Sequence, residues 1–344
     1  MALPLSTGGW IVAAPGTWDG LEWKDSIPLP VLGKADVLVK FHAASLNYRD
    51  LAICKARAKP GVVLGSDGAG EVLAVGIEVR RFQKGDKAVA VMIQKFYAGS
   101  LDSKVVQSDL GGGEDGTIRQ YGIFHEEGLV HIPSNLDYYE ASTLPCAAMT
   151  AWNGLYGLKP LVAGDTVLVQ GTGGVSIFAL QFAIAAGAIV IATTSSSDKA
   201  AVLKSLGAHH IINYTQDPNW GETAKSLTFD KEGVNHVIEV GGPMTMAQSL
   251  RAIRRDGQIS VIGYLGDTSN FSEPTFIDTL NHQCIVRGVV VGSRLQFVEM
   301  NRCIEVNNIK PLIDKRKFKL QDLKEAVRYM WDRKHIGKVV VTID

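Results

Sequence analysis

The feature that most constrains the fold is a glycine-rich turn between an apolar strand and an alanine-rich helix. The strand ending at Gln170 leads into Gly171-Thr172-Gly173-Gly174-Val175-Ser176, and a helix is predicted over 177–186. The first glycine permits a tight turn, and the second lets the backbone approach a pyrophosphate at the helix N-terminus. A second predicted strand, 189–193, completes a βαβ unit. The sequence therefore predicts dinucleotide contacts at Gly171, Thr172, Gly173, Gly174 and Val175, with Ser176 replacing the third glycine of the pattern.

The end of that second strand indicates which dinucleotide is bound. An Asp or Glu there would hydrogen-bond the ribose 2′-hydroxyl of NAD and repel a 2′-phosphate. Here the position is Thr194, followed by Ser195, Ser196 and, shortly after, Lys199. These hydroxyl donors and this cation favour NADPH as the cofactor. The alternative is that the serines form only a turn and that Lys199 is a solvated helix residue, while Asp198 is interpreted as a cap of the next helix.

Charge balance and cysteine usage exclude several classes of protein. The 344 residues carry 35 basic and 35 acidic side chains and are 46% hydrophobic, as expected of two globular domains without a nucleic-acid partner. No apolar run has the length of a membrane span, and the start lacks signal-peptide character, so a cytoplasmic protein is expected. The cysteines show no C-x-x-C spacing, which argues against a disulfide framework or a cysteine-rich metal site.

Three regions differ in texture along the chain. The first contains short strands between glycine turns, over 36–41, 70–76 and 87–91. The middle alternates strands with helices; its six strands are 167–170, 189–193, 210–213, 236–240, 259–263 and 285–291. The tail contains a helix over 320–333 and a strand over 338–343, expected to pack on the first region. The predicted fold is α/β, with a β-rich catalytic domain from 1–133 and 285–344 and a doubly wound Rossmann domain from 134–284, whose last strand lies near 285–291.

Several motifs carry a family resemblance over nearly the full length. They are Asn47-Tyr48-Arg49-Asp50, 65–72, 82–88, 144–152, the cofactor turn and the closing Gly337-Lys338-Val339-Val340. In this order they resemble the medium-chain dehydrogenase/reductase superfamily, and in particular its zinc-independent branch of quinone oxidoreductases and enoyl reductases. The resemblance implies that the β-rich domain is GroES-like.

The resemblance also bears on zinc. In zinc-bearing relatives Cys, His, an acid and Cys stand where this chain has Asn47, Ser66, Asp67 and Cys146. Catalytic zinc generally needs three protein ligands, and only the last two positions retain one. No metal site is therefore expected, and the region 94–116 lacks the cysteines of a structural zinc lobe. Cys146 is interpreted as a small buried hydrophobe, with a reactive thiol as the alternative.

Without a metal, hydrogen-bond donors must meet the charge that develops on a substrate oxygen. The resemblance places the turn carrying Asn47 and Tyr48 beside the nicotinamide, so both are predicted as catalytic donors. The alternative is that the Tyr48 ring packs against the cofactor and that Asn47 caps the turn or the following helix. Asp67 is either a proton relay or a hydrogen-bonded structural acid.

Three further residues complete the predicted cofactor set. Arg294 follows the last Rossmann strand and is expected to contact a cofactor phosphate or, alternatively, a surface acid. Tyr214 and Gly263 lie at or just after the ends of the third and fifth strands.

The predicted function is NADPH-dependent, zinc-independent reduction of an activated C=C bond in a small enone, quinone or enoyl substrate. The alternatives are an NADP-linked alcohol dehydrogenase or ketoreductase and a non-catalytic NADPH-binding protein. The apolar run 285–291 at the sheet edge predicts a homodimer joined through this strand.

Overall fold

The computed structural model describes residues 3–57, 59–263 and 274–343. The strands are β1 (Ser6–Val12), β2 (Leu21–Pro28), β3 (Asp36–Ser45), β4 (Asp67–Val75), β5 (Lys87–Ala90), β6 (Tyr121–His125), β7 (Leu129–His131), β8 (Thr166–Gln170), β9 (Ile189–Thr194), β10 (His210–Asn213), β11 (Val234–Glu239), β12 (Ile253–Val261), β13 (Ile285–Gly288), β14 (Phe318–Lys319) and β15 (Val340–Thr342). The helices are α1 (Tyr48–Ala52), α2 (Ser103–Val106), α3 (Tyr138–Ala141), α4 (Met149–Tyr156), α5 (Gly174–Ala185), α6 (Ser197–Ser205), α7 (Trp220–Ser226), α8 (Pro243–Ala252), α9 (Phe276–His282), α10 (Arg294–Val306) and α11 (Leu323–Trp331). None of the described helices is both long and apolar enough to cross a membrane.

The chain forms two compact units, Met1–Met149 with Val291–Asp344, and Thr150–Val290. The sequence predicts breaks after 133 and 284, whereas the structure places them after Met149 and Val290. The segment after 133 stays with the first unit because α3 packs on β3 and β4. The Ser45 hydroxyl also lies 3.1 Å from the Ser142 carbonyl oxygen.

The sheet of the first unit gathers distant parts of the chain at one point. Its order is β14-β15-β3-β4-β5-β7, with β6 pairing β3. β3 is mostly buried and places Phe41 in the hydrophobic core. At its C-terminal end, Ser45 lies opposite Asp67 at the start of β4 and opposite Val340 at the start of β15. The loops that adjoin these strand ends therefore meet.

The second unit contains the parallel sheet that the sequence predicts. Its order is β10-β9-β8-β11-β12-β13, the doubly wound arrangement in which the first and fourth strands lie side by side. β8 is buried throughout, and its Leu168 packs in a core with Ile191, Val237 and Ile259. This confirms the predicted Rossmann fold. The last strand is shorter than predicted, because β12 and β13 stop pairing at Val261 and Gly288.

Candidate active site and cofactor turn

The glycine turn of the second unit is open at the N-terminus of α5. Gly171 has φ +74°, a conformation that side-chain-bearing residues rarely adopt. Gly173 is the N-cap of α5, and no side chain caps the helix there. A Cβ atom on either glycine would meet no heavy atom of the described residues within 4 Å. The first N–H groups of this helix are thus available to an anionic group, as a cofactor pyrophosphate requires.

The side chains of Ser176 and Gln170 stabilise this turn by hydrogen bonds. The Ser176 hydroxyl donates to the Gln170 carbonyl oxygen at 2.6 Å, which gives the serine at the third glycine position a structural use. The Gln170 side-chain amide donates to Glu239 at 2.7 Å and accepts from the Val240 N–H at 3.1 Å. The turn after β8 is therefore tied to the loop after β11, its neighbour in the sheet.

Sequence reasoning missed Glu239, which is the centre of this arrangement. Its carboxylate is fully buried at the end of β11 and accepts from the N–H groups of Gly241 at 2.8 Å and Gly242 at 2.9 Å. The hydroxyls of Thr245 and Ser249 also donate to it. A buried charge is tolerated only when its oxygens are well paired. An acid at the end of an apolar strand, separated by one residue from Gly241-Gly242, was the available signal.

Some of the hydroxyl side chains at the end of β9 and just after it make hydrogen bonds within the turn, and others are exposed. Thr194 is buried, and its Oγ1 accepts from the Ser196 N–H at 3.4 Å. Ser196, rather than Asp198, is the N-cap of α6, and its Oγ accepts from the Lys199 N–H at 3.3 Å. The capping role expected of Asp198 is thus wrong, since the N-cap position precedes it. Ser195 is exposed and Lys199 half-buried.

The remaining predicted cofactor residues lie in different places. Tyr214 is 44% exposed and directly follows β10, with its N–H donating to the Thr194 carbonyl oxygen at 3.0 Å. Gly263 follows β12 and is half-buried. Arg294 begins α10 in the first unit, where its guanidinium pairs with Glu127 at 2.6 Å. That contact is the surface-acid alternative; a phosphate contact of Arg294 stays a prediction.

The two predicted catalytic residues adjoin each other at the start of α1. Asn47 is the N-cap residue, and its N–H donates to Asp50 Oδ2 at 2.7 Å. Asn47 and Asp50 are arranged as a capping box, although no side-chain hydrogen bond of Asn47 meets the capping geometry, so the capping alternative stays open. Tyr48 is the first helical residue and is 42% exposed. Within the described ranges no hydrogen bond to the Tyr48 hydroxyl is found, so this donor is available to a ligand.

A lysine that sequence reasoning left without a role reaches the Asn47 side chain. The Lys338 ammonium is buried and donates to the Leu46 carbonyl oxygen at 2.8 Å and to Asn47 Oδ1. It also lies 3.4 Å from Asp67 Oδ2. A buried ammonium next to a buried carboxylate avoids the cost of an unpaired charge.

Asp67 is fully paired by its neighbours. Its Oδ2 accepts from the Ser45 hydroxyl at 2.9 Å and its Oδ1 from the Ser66 hydroxyl at 3.1 Å. With the Lys338 ammonium this accounts for both oxygens of a side chain that is 0% exposed. The surroundings are those of the structural acid weighed above.

Asp50 is buried in a less favourable setting. Burial raises the pKa of its carboxyl from 3.8 to about 6, although the Arg49 guanidinium opposes the shift. Its Oδ1 lies 3.7 Å from Arg49 Nη1 but accepts no hydrogen bond from the part of the chain that the structure describes. Arg49 is committed elsewhere, donating to Asp109 at 2.5 Å and to the Leu110 carbonyl oxygen at 2.8 Å.

Comparison with known proteins decides the family. The alcohol dehydrogenase GroES-like domain matches residues 33–134, and the zinc-binding dehydrogenase domain matches residues 174–305. A zinc-type alcohol dehydrogenase-like protein of Schizosaccharomyces pombe is 46% identical over 321 residues, covering 91% of this chain and 92% of that protein. The chain belongs to the medium-chain dehydrogenase/reductase superfamily.

A solved structure and a further protein similar in sequence match this superfamily member over nearly its full length. The crystal structure of a putative alcohol dehydrogenase from Sinorhizobium meliloti 1021 matches with a TM-score of 0.90 and 35% identity, covering 99% of this chain and all of that one (100%). The NADPH-dependent alkenal/one oxidoreductase of Arabidopsis thaliana is 28% identical over 348 residues, covering 99% of this chain and 80% of that protein. The GroES-like and Rossmann domains predicted from the sequence are thereby confirmed.

The donor set of this dehydrogenase/reductase does not fit a catalytic zinc ion. Asn47 and Ser66 supply neutral oxygen and nitrogen atoms, and the Lys338 ammonium is already bound to Asn47 and Asp67. Of the four positions, only Asp67 and Cys146 carry side chains that commonly bind zinc, whereas a catalytic zinc generally needs three such ligands. Within 3–57, 59–263 and 274–343, no group of three or more His, Cys, Asp or Glu side chains could hold a metal.

Proposed function

We propose that this protein is an NADPH-dependent oxidoreductase that reduces an activated carbon–carbon double bond, in an enone, quinone or enoyl substrate, without zinc. The observation that carries the proposal is the Lys338 ammonium lying between Asn47 and Asp67, at the positions that hold a metal in zinc-bearing relatives. Polarisation of a substrate oxygen then falls to hydrogen-bond donors, and Tyr48 and Asn47 are the donors beside this cluster.

The chemistry follows from these donors. Bound NADPH supplies a hydride. The Tyr48 hydroxyl and the Asn47 amide nitrogen donate to the substrate oxygen on which negative charge develops. Conjugated substrates suit such donors, because addition at the β-carbon leaves a delocalised enolate whose charge is easier to stabilise than that of an alkoxide. The resemblance to an alkenal/one oxidoreductase supports this choice.

The preference for NADPH rests on the segment after β9. No acid follows β9 before Asp198, and the exposed Ser195 and the Lys199 side chain are free to meet a 2′-phosphate. The glycine turn and the N-terminus of α5 would hold the pyrophosphate.

The described cysteines are free thiols, consistent with the reducing cytoplasm as the place of action.

A homodimer is part of the proposal. β13 lies at the edge of the six-stranded sheet, with Ile285 38% and Val286 39% exposed. The adjacent helix α9 exposes Phe276 and Leu280. An unpaired apolar strand edge pairs readily with a second copy. Light scattering at micromolar concentration should return twice the chain mass; the mass of one chain would contradict the dimer.

An alcohol dehydrogenase or ketoreductase is the second candidate, favoured by the names of the S. pombe and S. meliloti relatives. The two activities differ in the bond reduced. The test supplies NADPH or NADH with a panel of enones, quinones, enoyl thioesters, aldehydes and saturated ketones, and identifies the products. Saturated ketones from enones are expected. Allylic alcohols or reduced aldehydes would favour the second candidate, and NADPH binding without turnover would indicate a non-catalytic binder.

A further inference from the structure

The backbone around Lys338 places its side chain with little freedom. Gly337 has φ +73°, and a Cβ atom there would lie 2.1 Å from the Leu312 carbonyl oxygen. The Lys338 N–H donates to the same oxygen at 2.9 Å. On the other side, the Leu46 N–H donates to the Val339 carbonyl oxygen at 2.9 Å. The lysine is thus fixed directly beside the residue that precedes Asn47.

The contacts of Lys338 determine which way the Asn47 amide points. An ammonium group has three donors and no acceptor, so it must face the amide oxygen of Asn47 and not its nitrogen. The nitrogen then faces Ser66 Oγ at 3.5 Å, and the Ser66 hydroxyl donates to Asp67. Four contacts join Lys338, Asn47, Ser66 and Asp67 in a closed ring. One N–H of the Asn47 amide has no acceptor among the described residues.

We propose that Lys338 is a positioning residue that holds the Asn47 amide in the orientation in which Nδ2, and not Oδ1, can donate to the substrate oxygen. Without the ammonium, an asparagine side chain can rotate by half a turn and present an acceptor, which would repel a developing oxyanion. The positive charge of the Lys338 ammonium, hydrogen-bonded to the amide oxygen, also polarises the amide and strengthens its N–H groups as donors. This role rests on the proposed function of Asn47.

The test is a mutant cycle between the Lys338–Asp67 ion pair and Asn47. Lys338→Met alone leaves the Asp67 carboxylate buried without its cation, so Lys338→Met is combined with Asp67→Asn in one protein, called the pair variant. Thermal unfolding verifies that the pair variant is folded. At saturating NADPH and enone, the pair variant and Asn47→Ala should each lower kcat roughly tenfold or more. Their combination should lower kcat no further than Asn47→Ala alone. Lys338→Arg, which keeps a buried cation and its donors, should retain most of the activity.

Independent action of Lys338 would give a different result. If the two losses multiply in the combined variant, or if either the pair variant or Asn47→Ala turns over at the wild-type rate, the positioning role is overturned.

A readout without turnover separates this proposal from the proposed function. In protein labelled with 15N-asparagine, the side-chain signals of Asn47 are assigned by their loss in Asn47→Asp. They should shift in the pair variant and stay close to the wild-type position in Lys338→Arg. Unshifted signals in the pair variant would overturn the positioning role even in an active enzyme. Shifted signals in a protein that reduces no substrate would support it while the proposed function fails.

Discussion

Replacing Asp50 by asparagine should stabilise the protein at neutral pH. Because the pKa of Asp50 is about 6 in the folded state and 3.8 without burial, the folded protein retains a proton that the unfolded chain has released between these values. The free energy of unfolding of the wild type therefore falls as pH rises from about 4 to about 6, and then levels. A shift of about two pKa units corresponds to about 3 kcal/mol at pH 7.5.

Asparagine removes the cost of ionising the buried carboxyl but adds the smaller cost of an unpaired amide donor. Its oxygen still accepts from the Asn47 N–H, while its amide nitrogen takes the place of Oδ1, which has no hydrogen-bond partner among the described residues. An unpaired buried donor costs about 1–3 kcal/mol. With a cost of about 1–2 kcal/mol from that range, the net gain at pH 7.5 is about 1–2 kcal/mol, and near pH 4 the variant should be no more stable than the wild type.

The assay is chemical denaturation of the wild type and Asp50→Asn at several pH values from 4 to 7.5. Asp137→Asn is the matched control, because its exposed carboxylate accepts a backbone N–H in the first turn of α3 without the burial of Asp50. The control should not stabilise the protein at pH 7.5, because it removes no buried charge. An Asp50→Asn variant that is less stable than the wild type at pH 7.5, or that keeps the same slope between pH 4 and 6, would refute the reasoning.

Three further substitutions test the site. Tyr48→Phe should lower kcat roughly ten- to thousandfold while NADPH affinity stays the same, as expected for loss of one oxyanion donor; wild-type turnover would make the hydroxyl a spectator. NADPH should bind at least tenfold more tightly than NADH in fluorescence titration, since a charge-assisted contact contributes about 1.5–3 kcal/mol. Lys199→Ala should reduce that preference, and the exposed Lys204→Ala on the same helix should not; equal affinities in the wild type would contradict the assignment. Glu239→Gln places an amide donor against the donors around β11 and should weaken NADPH binding and lower the Tm; an unchanged affinity would show that this carboxylate does not support the turn.

The sequence predicts the parts of this molecule that depend on neighbouring residues. The strand, glycine turn and helix around Gly171 follow from local pattern, and the six-stranded parallel sheet follows from the alternation of strands and helices. Element ends are less predictable: α5 begins at Gly174 and not at Ile177, because Gly173 already serves as its N-cap.

Contacts between distant residues explain what was missed. Lys338 and Asn47 are 291 positions apart, and no local pattern shows that the ammonium reaches the amide oxygen. Glu239 meets Gln170 only because β8 and β11 are neighbours in the sheet. The sequence predicts that the hydroxyl groups at the end of β9 contact the cofactor. In the structure the hydroxyl oxygens of Thr194 and Ser196 accept hydrogen bonds from backbone N–H groups of the residues that follow.

The most direct test of the account is the rate of enone reduction by metal-free protein. Purified enzyme is dialysed against a strong chelator, its zinc content is measured, and NADPH oxidation with an enone is followed together with the saturated product. The account predicts full activity at a zinc content well below one per chain. Activity that disappears with the metal and returns with added zinc would contradict it, because the oxygen would then be polarised by a Lewis acid and not by Tyr48 and Asn47.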